Sequence, residues 1–134
     1  MNNKTEGTNF EIELCKHLAS EGFWAHNIAA KSAGQPADVI AVKNGIPVLI
    51  DCKVCENDCF NLTRIEPNQE AAMTLWYECG NSHAYFAVKL KDGLVFMITY
   101  TTLAKLWRNN VRVLKRKDIV EYGMLIEEWV GGSK

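Results

Sequence analysis

The sequence predicts a single α/β domain in which helices flank a mixed β-sheet. Segments with helical periodicity and short apolar segments typical of strands follow one another as helix, three strands, helix, two strands, helix. A length of 134 residues suits one compact domain, and no internal repeat or Pro/Gly-rich linker divides residues 1–134. A hydrophobic fraction of 48% is sufficient for a core, so the sequence predicts one globular unit.

The first half is predicted to contain one helix and three strands. The Asn44-Gly45 pair is a strong signal for a two-residue hairpin turn between the second and third strands. The third strand is apolar almost throughout, which predicts a central place in the sheet. The predicted elements are a helix over residues 8–21, ended by Gly22, and strands over residues 23–30, 38–43 and 46–54.

The second half is predicted to start with a loop over residues 55–65. Pro67 suits the first turn of a helix that continues to about residue 79. Residues 111–130 fit a strand and a helix equally well. The other predicted elements are strands over residues 84–90 and 94–100 and a short helix over residues 102–107.

An acid and an amine share one face of the third predicted strand. Alternate side chains of a strand point the same way, so Asp51 and Lys53 lie together, and a buried strand rarely carries such a pair without need. Asp38 begins the adjoining strand, and the tight turn brings it beside Asp51. Two adjacent carboxylates repel one another, and a Mg²⁺ ion with oxygen ligands relieves this repulsion. Lys53 would then assist the attacking water or stabilise charge on a phosphate. The alternative is a simple salt bridge at a sheet edge.

Glu11 is predicted to lie near the middle of the apolar arc of the first helix. An acid on the buried face of an amphipathic helix suggests a functional role. Thr8-x-x-Glu11 also has the spacing of a capping box, and the two interpretations are compatible. The other members of this arc are apolar or small: Phe10, Ile12, Leu14, Cys15, Leu18 and Ala19.

Four short segments together form a recognisable pattern. They are Gly7-Thr-Asn-Phe-Glu11-x-Glu-Leu, Lys31-Ser32-Ala33-Gly34 before Ala37-Asp38-Val39, Leu49-Ile-Asp51-Cys-Lys53, and Leu62-x-x-Ile65-x-x-x-Gln69. The first three resemble the archaeal Holliday-junction resolvases, which are PD-(D/E)XK nucleases, and the fourth resembles the RecU-type resolvases of bacteria and phages. The resemblance implies a restriction-endonuclease-like fold and a metal-dependent endonuclease that cuts four-way DNA junctions as a homodimer with two active sites.

The resemblance also implies roles for the acids and the lysine. Asp38 and Asp51 would bind Mg²⁺ or Mn²⁺, and Glu11 and a backbone carbonyl near Cys52 would complete the metal site. Lys53 would serve the attacking water.

Two further residues take roles in substrate binding from the same resemblance. Ser32 would contact a phosphate near the scissile bond, with an ordinary loop hydroxyl as the alternative. Gln69 would position the substrate from the second helix, with an ordinary helix-surface residue as the alternative.

The net charge of −1 is unusual for a protein that binds DNA. Two other functions therefore stay open: a nuclease of this type acting on other DNA in restriction, repair or phage processing, and a non-catalytic DNA-binding module with the same fold. A basic run near the C-terminus could offset the low net charge or simply be a solvated face. Its members are Arg108, Arg112, Lys115, Arg116 and Lys117.

Cysteine, histidine and tryptophan residues give weaker signals. The five cysteines and the absence of a hydrophobic segment at the N-terminus predict reduced thiols in a cytoplasmic protein that is neither exported nor bound to a membrane. Cys52-x-x-Cys55 has ligand-like spacing, which leaves a zinc or iron–sulfur site as an alternative, with Cys59, Cys79 and His83 as further candidates.

His17 and His26 are predicted to be structural. The tryptophans are predicted to pack in the core or an interface, with stacking on an unpaired base as the alternative: Trp24, Trp76, Trp107 and Trp129.

Overall fold

The structure, a computed structural model, describes residues 3–28 and 37–132, with side chains described from residue 6 onward. The elements are α1 (Asn3–Ser20), β1 (Trp24–Asn27), β2 (Val39–Lys43), β3 (Ile46–Cys55), β4 (Cys59–Asn61), a 3-10 turn (Leu62–Arg64), α2 (Pro67–Glu78), β5 (Ala84–Leu90), β6 (Val95–Thr99), α3 (Tyr100–Arg108), β7 (Val113–Lys115), α4 (Arg116–Tyr122), β8 (Met124–Leu125) and α5 (Ile126–Gly131). None of these helices is both long and apolar enough to cross a lipid bilayer.

A six-stranded mixed sheet forms the centre of the molecule, in the order β1-β2-β3-β5-β6-β8. β3 and β5 run parallel, and the other neighbouring pairs are antiparallel. The predicted mixed sheet and the central place of β3 are therefore confirmed. A separate two-stranded sheet joins β4 to β7.

The turn between β2 and β3 fixes the register of the hairpin. Asn44 and Gly45 have φ values of 54° and 78°, the pair of positive values that a type I′ turn requires. Val39 consequently faces Ile50, and the Asp38 backbone N–H donates to the Ile50 carbonyl oxygen at 3.1 Å. The turn predicted from the sequence is confirmed, and its register sets Asp38 beside Asp51.

Each face of the sheet is covered by its own apolar cluster. On one face, Phe10, Leu14 and Leu18 of α1 pack with alternate residues of β2 and β3, such as Val39 and Ile50. Strand alternation sends the other set of β3 residues to the opposite face. There, helices α2, α3 and α4 contribute their buried residues to a second cluster that also contains Leu49 and Cys55: Met73, Leu103, Leu106 and Ile119.

The start of α1 corrects one prediction. The helix begins at Asn3 and not at Thr8, so Thr8 lies inside the helix and cannot be its N-cap. The capping-box interpretation of Glu11 is therefore wrong. Gly7 is the reason for the error, because a glycine in a helix interior costs about 1 kcal/mol and suggests a helix end.

The segments at residues 55–65 and 111–130 differ from their predicted states. The predicted loop contains strand β4 and a 3-10 turn, and the ambiguous C-terminal segment divides into β7, α4, β8 and α5. β4 pairs with β7, more than fifty positions further along the chain, for example Phe60 with Leu114. Such a distant pairing gives no local periodic signal. β1 is shorter than predicted, and residues 29 and 30 of that prediction lie outside the described residues.

Gly123 allows α4 to approach β6 closely. A Cβ atom at this position would lie 2.7 Å from the Ile119 carbonyl oxygen and 3.0 Å from the Phe96 Cβ. We expect Gly123→Ala to lower the free energy of unfolding by about 1–3 kcal/mol, because the backbone or the Phe96 contact must shift. Urea unfolding measures this loss. Gly131→Ala is the matched control, since its Cβ would meet nothing within 4 Å, and an equal loss in both variants would contradict the prediction.

Candidate active site

Two carboxyl side chains lie together where the start of β2 meets β3. Asp38 immediately precedes β2, and Asp51 lies within β3; these side chains are 8% and 0% exposed, the only buried charged side chains among the described residues. The Cys52 backbone N–H donates to Asp38 Oδ2 at 2.8 Å, which ties Asp38 to the strand that carries Asp51. The predicted proximity of the two acids is present in the structure.

Lys53 forms an ion pair with Asp51. The Lys53 Nζ lies 2.9 Å from Asp51 Oδ2, and the lysine side chain is 11% exposed. The ammonium group of Lys53 is therefore a direct charged partner of the fully buried Asp51 carboxylate. Each carboxylate oxygen carries two lone pairs, so Asp51 Oδ2 can accept a further ligand beside the lysine.

The electrostatic environment of Asp51 is short of positive charge. The pKa of Asp51 is raised to about 8, mainly because the group is buried and also because of the negative charge of Asp38, while the ammonium group of Lys53 acts in the opposite direction. One lysine does not compensate two carboxylates that are removed from water. A bound divalent cation would supply the missing charge.

Glu11 approaches the same region from α1. Its side chain is half-buried, and its pKa is raised to about 7, mainly by burial and also by the charge of Asp38, against the opposing charge of Lys53. In the described part of the chain, no group of three or more acidic, cysteine or histidine side chains is arranged to hold a metal ion. Glu11 thus interacts electrostatically with Asp38 and Lys53 without forming a three-carboxylate cluster with the two aspartates.

Gln69 contacts both members of the ion pair. It lies in the first turn of α2, where its Nε2 donates to Asp51 Oδ1 at 3.0 Å. Its Oε1 accepts from Lys53 Nζ at 3.3 Å and from the Glu66 backbone N–H at 3.0 Å. The structure thus shows that Gln69 holds Asp51 and Lys53. Its predicted role in positioning the substrate stays a prediction.

The other predicted site residues are placed less directly. Ser32 lies outside the described residues. The Cys52 side chain packs on the α1 side of the sheet, as its position in β3 predicts, and the role of its carbonyl stays a prediction. The thiols that could have formed a second metal site differ in burial: Cys55 is buried in the cluster around α2, whereas Cys59 and Cys79 are exposed.

Arg64 makes polar contacts near the site, and the sequence analysis did not predict them. Its Nη1 donates to the Val54 carbonyl oxygen at 3.0 Å and lies 3.5 Å from the Cys55 Sγ. A cavity of about 370 Å³ extends from Lys53 to Arg64 along the end of β3. The contact crosses the turn after β3, and no spacing in the sequence indicates it.

The basic run near the C-terminus does not form one uniform face. Arg116 forms ion pairs with Asp58 at 3.2 Å and Asp92 at 2.8 Å. The Arg112 guanidinium lies 3.6 Å from the centre of the Trp107 ring. These two side chains therefore hold parts of the fold together.

Comparisons with known proteins identify the family and the fold of the chain. The family model described as archaeal Holliday junction resolvase (Hjc) matches residues 2–134. The solved structure of Hjc from Archaeoglobus fulgidus, a Holliday junction resolvase, is similar to this chain with a TM-score of 0.70 and 22% identity, covering 94% of this chain and 96% of that one. No curated protein matches the chain. The structural likeness shows the fold, which confirms the predicted α/β architecture. Because the family model spans nearly the whole sequence, the chain belongs to the archaeal Holliday junction resolvase family.

Proposed function

We infer that this protein is a Holliday-junction-resolving endonuclease, and we propose that it hydrolyses DNA phosphodiester bonds with Mg²⁺ or Mn²⁺ at Asp38, Asp51 and Lys53. The observation that carries the proposal is the pair of buried carboxyl groups, Asp38 and Asp51, beside the single positive charge of Lys53. Membership of the resolvase family supports the four-way junction as the substrate.

The donor set fits a hard divalent cation. Mg²⁺ prefers oxygen ligands and usually takes only one or two carboxylates from the protein, because water and substrate phosphates supply the rest. Asp38 and Asp51 are sufficient for this, and Glu11 and the Cys52 carbonyl are further proposed ligands. When bound, the cation would stabilise negative charge on the phosphate and make the attacking water more acidic.

The side chains themselves organise the attack. Asp38 is held in place by the Cys52 backbone N–H, and Asp51 is held by Gln69. The ammonium group of Lys53 lies at the edge of the site, where it would donate a hydrogen bond to the attacking water or to a phosphate oxygen. Ser32 is proposed to contact a phosphate near the scissile bond.

We propose a homodimer as the active species. A four-way junction has approximate two-fold symmetry, and a two-fold dimer would present one Asp38–Asp51–Lys53 site to each of two opposing strands. Paired cuts on opposing strands then follow from the symmetry of the assembly.

Cleavage of a labelled four-way junction and of a linear duplex with the same arm sequence tests the function. With Mg²⁺ we expect the wild-type protein to cut the junction selectively, and we expect EDTA to abolish cutting. Asp51→Asn should cut at least about 100-fold more slowly, because several kcal/mol of charge stabilisation depend on this carboxylate. The exposed Glu121→Gln is the matched control. Equal cutting of both substrates would remove the junction from the proposal, and a folded protein that cuts neither with Mg²⁺ would favour the non-catalytic binding module.

The contacts of Gln69 predict a loss of rate without a loss of binding. We expect Gln69→Ala to slow junction cleavage at saturating protein about 10- to 100-fold, because residues that orient catalytic groups have effects of this size. The Kd for the junction, measured in EDTA, should not change. Glu70→Ala is the control, since this exposed residue lies next to Gln69 in the same turn of α2. A raised Kd with an unchanged cleavage rate would instead assign Gln69 to substrate binding.

The raised pKa of Asp51 predicts how the stability of the metal-free protein depends on pH. Because this pKa is about 8 in the folded state and near 3.8 otherwise, the folded state binds more protons between these values. The free energy of unfolding should therefore fall as the pH rises from about 4 to about 8. Asp51→Asn should show a shallower fall in urea unfolding with EDTA, and Mg²⁺ should stabilise the wild type at pH 8. Identical slopes for the two proteins would contradict this prediction.

A further inference from the structure

The four tryptophans differ in whether their rings are available to a ligand. Trp129 is 8% exposed and packs between Phe23 and Tyr85. Trp76 is half-buried, and its Nε1 donates to the His83 carbonyl oxygen. Trp107 is 41% exposed, but a ring face is covered by the Arg112 guanidinium at 3.6 Å.

Trp24 is the most exposed of the four tryptophans, at 63%. Its ring stacks on the imidazole of His26, with 5.9 Å between the ring centres and 18° between the planes. Both residues are exposed and lie in the edge strand β1. The pair forms an aromatic platform, Trp24 and His26, held at two positions of one strand face.

The platform lies on the same face of the sheet as the proposed catalytic residues. Trp24 faces Val42 and His26 faces Ile40, and Ile40 in turn faces Leu49 of β3. Cross-strand partners share a face, and Asp51 lies two residues beyond Leu49 on that face. Strand spacings then place the Cα atoms of His26 and Trp24 about 12 Å and about 16 Å from that of Asp51. These distances correspond to a few nucleotides along a DNA strand.

Among the described residues, this part of the face is less deeply buried than the opposite face. Ile40 and Val42, on the platform side of β2, are half-buried. Val39 and Ala41, on the side that faces α1, are 0% exposed. An exposed aromatic surface that continues directly from a phosphodiester-cleaving site borders the path of the DNA.

We propose that the Trp24–His26 platform binds a nucleobase of the junction that is unstacked near the branch point. This proposal rests on the proposed function. Bases within the duplex arms are paired and stacked on both sides, so only bases at the branch can reach a protein ring. Stacking on an aromatic side chain accepts any base, because every base has a π face, and therefore adds affinity for branch structure without sequence preference.

Binding and photocrosslinking in EDTA test the platform, with the wild-type chain and a four-way junction that carries 5-iodouracil beside the branch point. We expect a crosslink that maps to Trp24, and no crosslink there when the 5-iodouracil lies within an arm. Trp24→Leu should weaken junction binding about 5- to 100-fold and leave binding to linear duplex unchanged. Trp24→Phe should retain most of the affinity, since it keeps an aromatic ring. Trp107→Ala is the matched control and should bind the junction like the wild type.

The outcomes separate this proposal from the proposed function. If the wild-type protein binds and cuts junctions but Trp24→Leu binds them equally well, the platform is overturned and the resolvase function stands. If Trp24→Leu weakens junction and duplex equally, or converts a dimer to a monomer in sedimentation, the surface serves general DNA contact or subunit contact and the proposal fails. If the wild-type protein neither binds nor cuts junctions, the proposed function itself fails.

Discussion

The register of the β2–β3 hairpin is the constraint on which the site depends. Positive φ values at Asn44 and Gly45 select a two-residue turn, and this turn leaves one pairing of the strands. Side chains alternate along a strand, so a shift of β3 by one residue would send Asp51 and Lys53 into the cluster beneath α1. The same shift would remove Val48 and Ile50 from this cluster, so their packing against α1 enforces the register that brings Asp38 and Asp51 together.

The site is maintained against an electrostatic cost. Two aspartates are removed from water beside a single lysine, and the pKa of Asp51 is raised to about 8 as a result. Apolar packing of β3 between β2 and β5 offsets this cost, since both faces of the central strand are occupied by core residues. Lys53 and Gln69 hold Asp51 in one orientation without neutralising the site. A fold that buries carboxylates in this way gains stability from a cation, which couples metal binding to the stability of the protein.

Elements distant in sequence connect the site to the rest of the molecule. The Gln69 side chain joins the beginning of α2 to β3, because it contacts Asp51 and the Glu66 backbone at once. On the opposite side of the turn after β3, Arg116 at the start of α4 forms ion pairs with Asp58 and Asp92 and so links two turns of the sheet. The C-terminal third of the chain therefore supports the turns after β3 and β5, although this third contains none of the proposed catalytic residues.

The sequence by itself determined the hairpin, the central strand and the Asp38–Asp51–Lys53 set, because these depend on contacts within about fifteen residues and on strict strand alternation. Tertiary structure alone decided the pairing of β4 with β7 and the partners of Gln69, because each joins segments that are distant along the chain. It also decided which tryptophan stays exposed: Trp24 lies in an edge strand and Trp129 under Phe23, a difference set by packing and not by composition. Tertiary structure also decided where α1 starts, because packing of the apolar face of the helix outweighs the low helix propensity of Gly7.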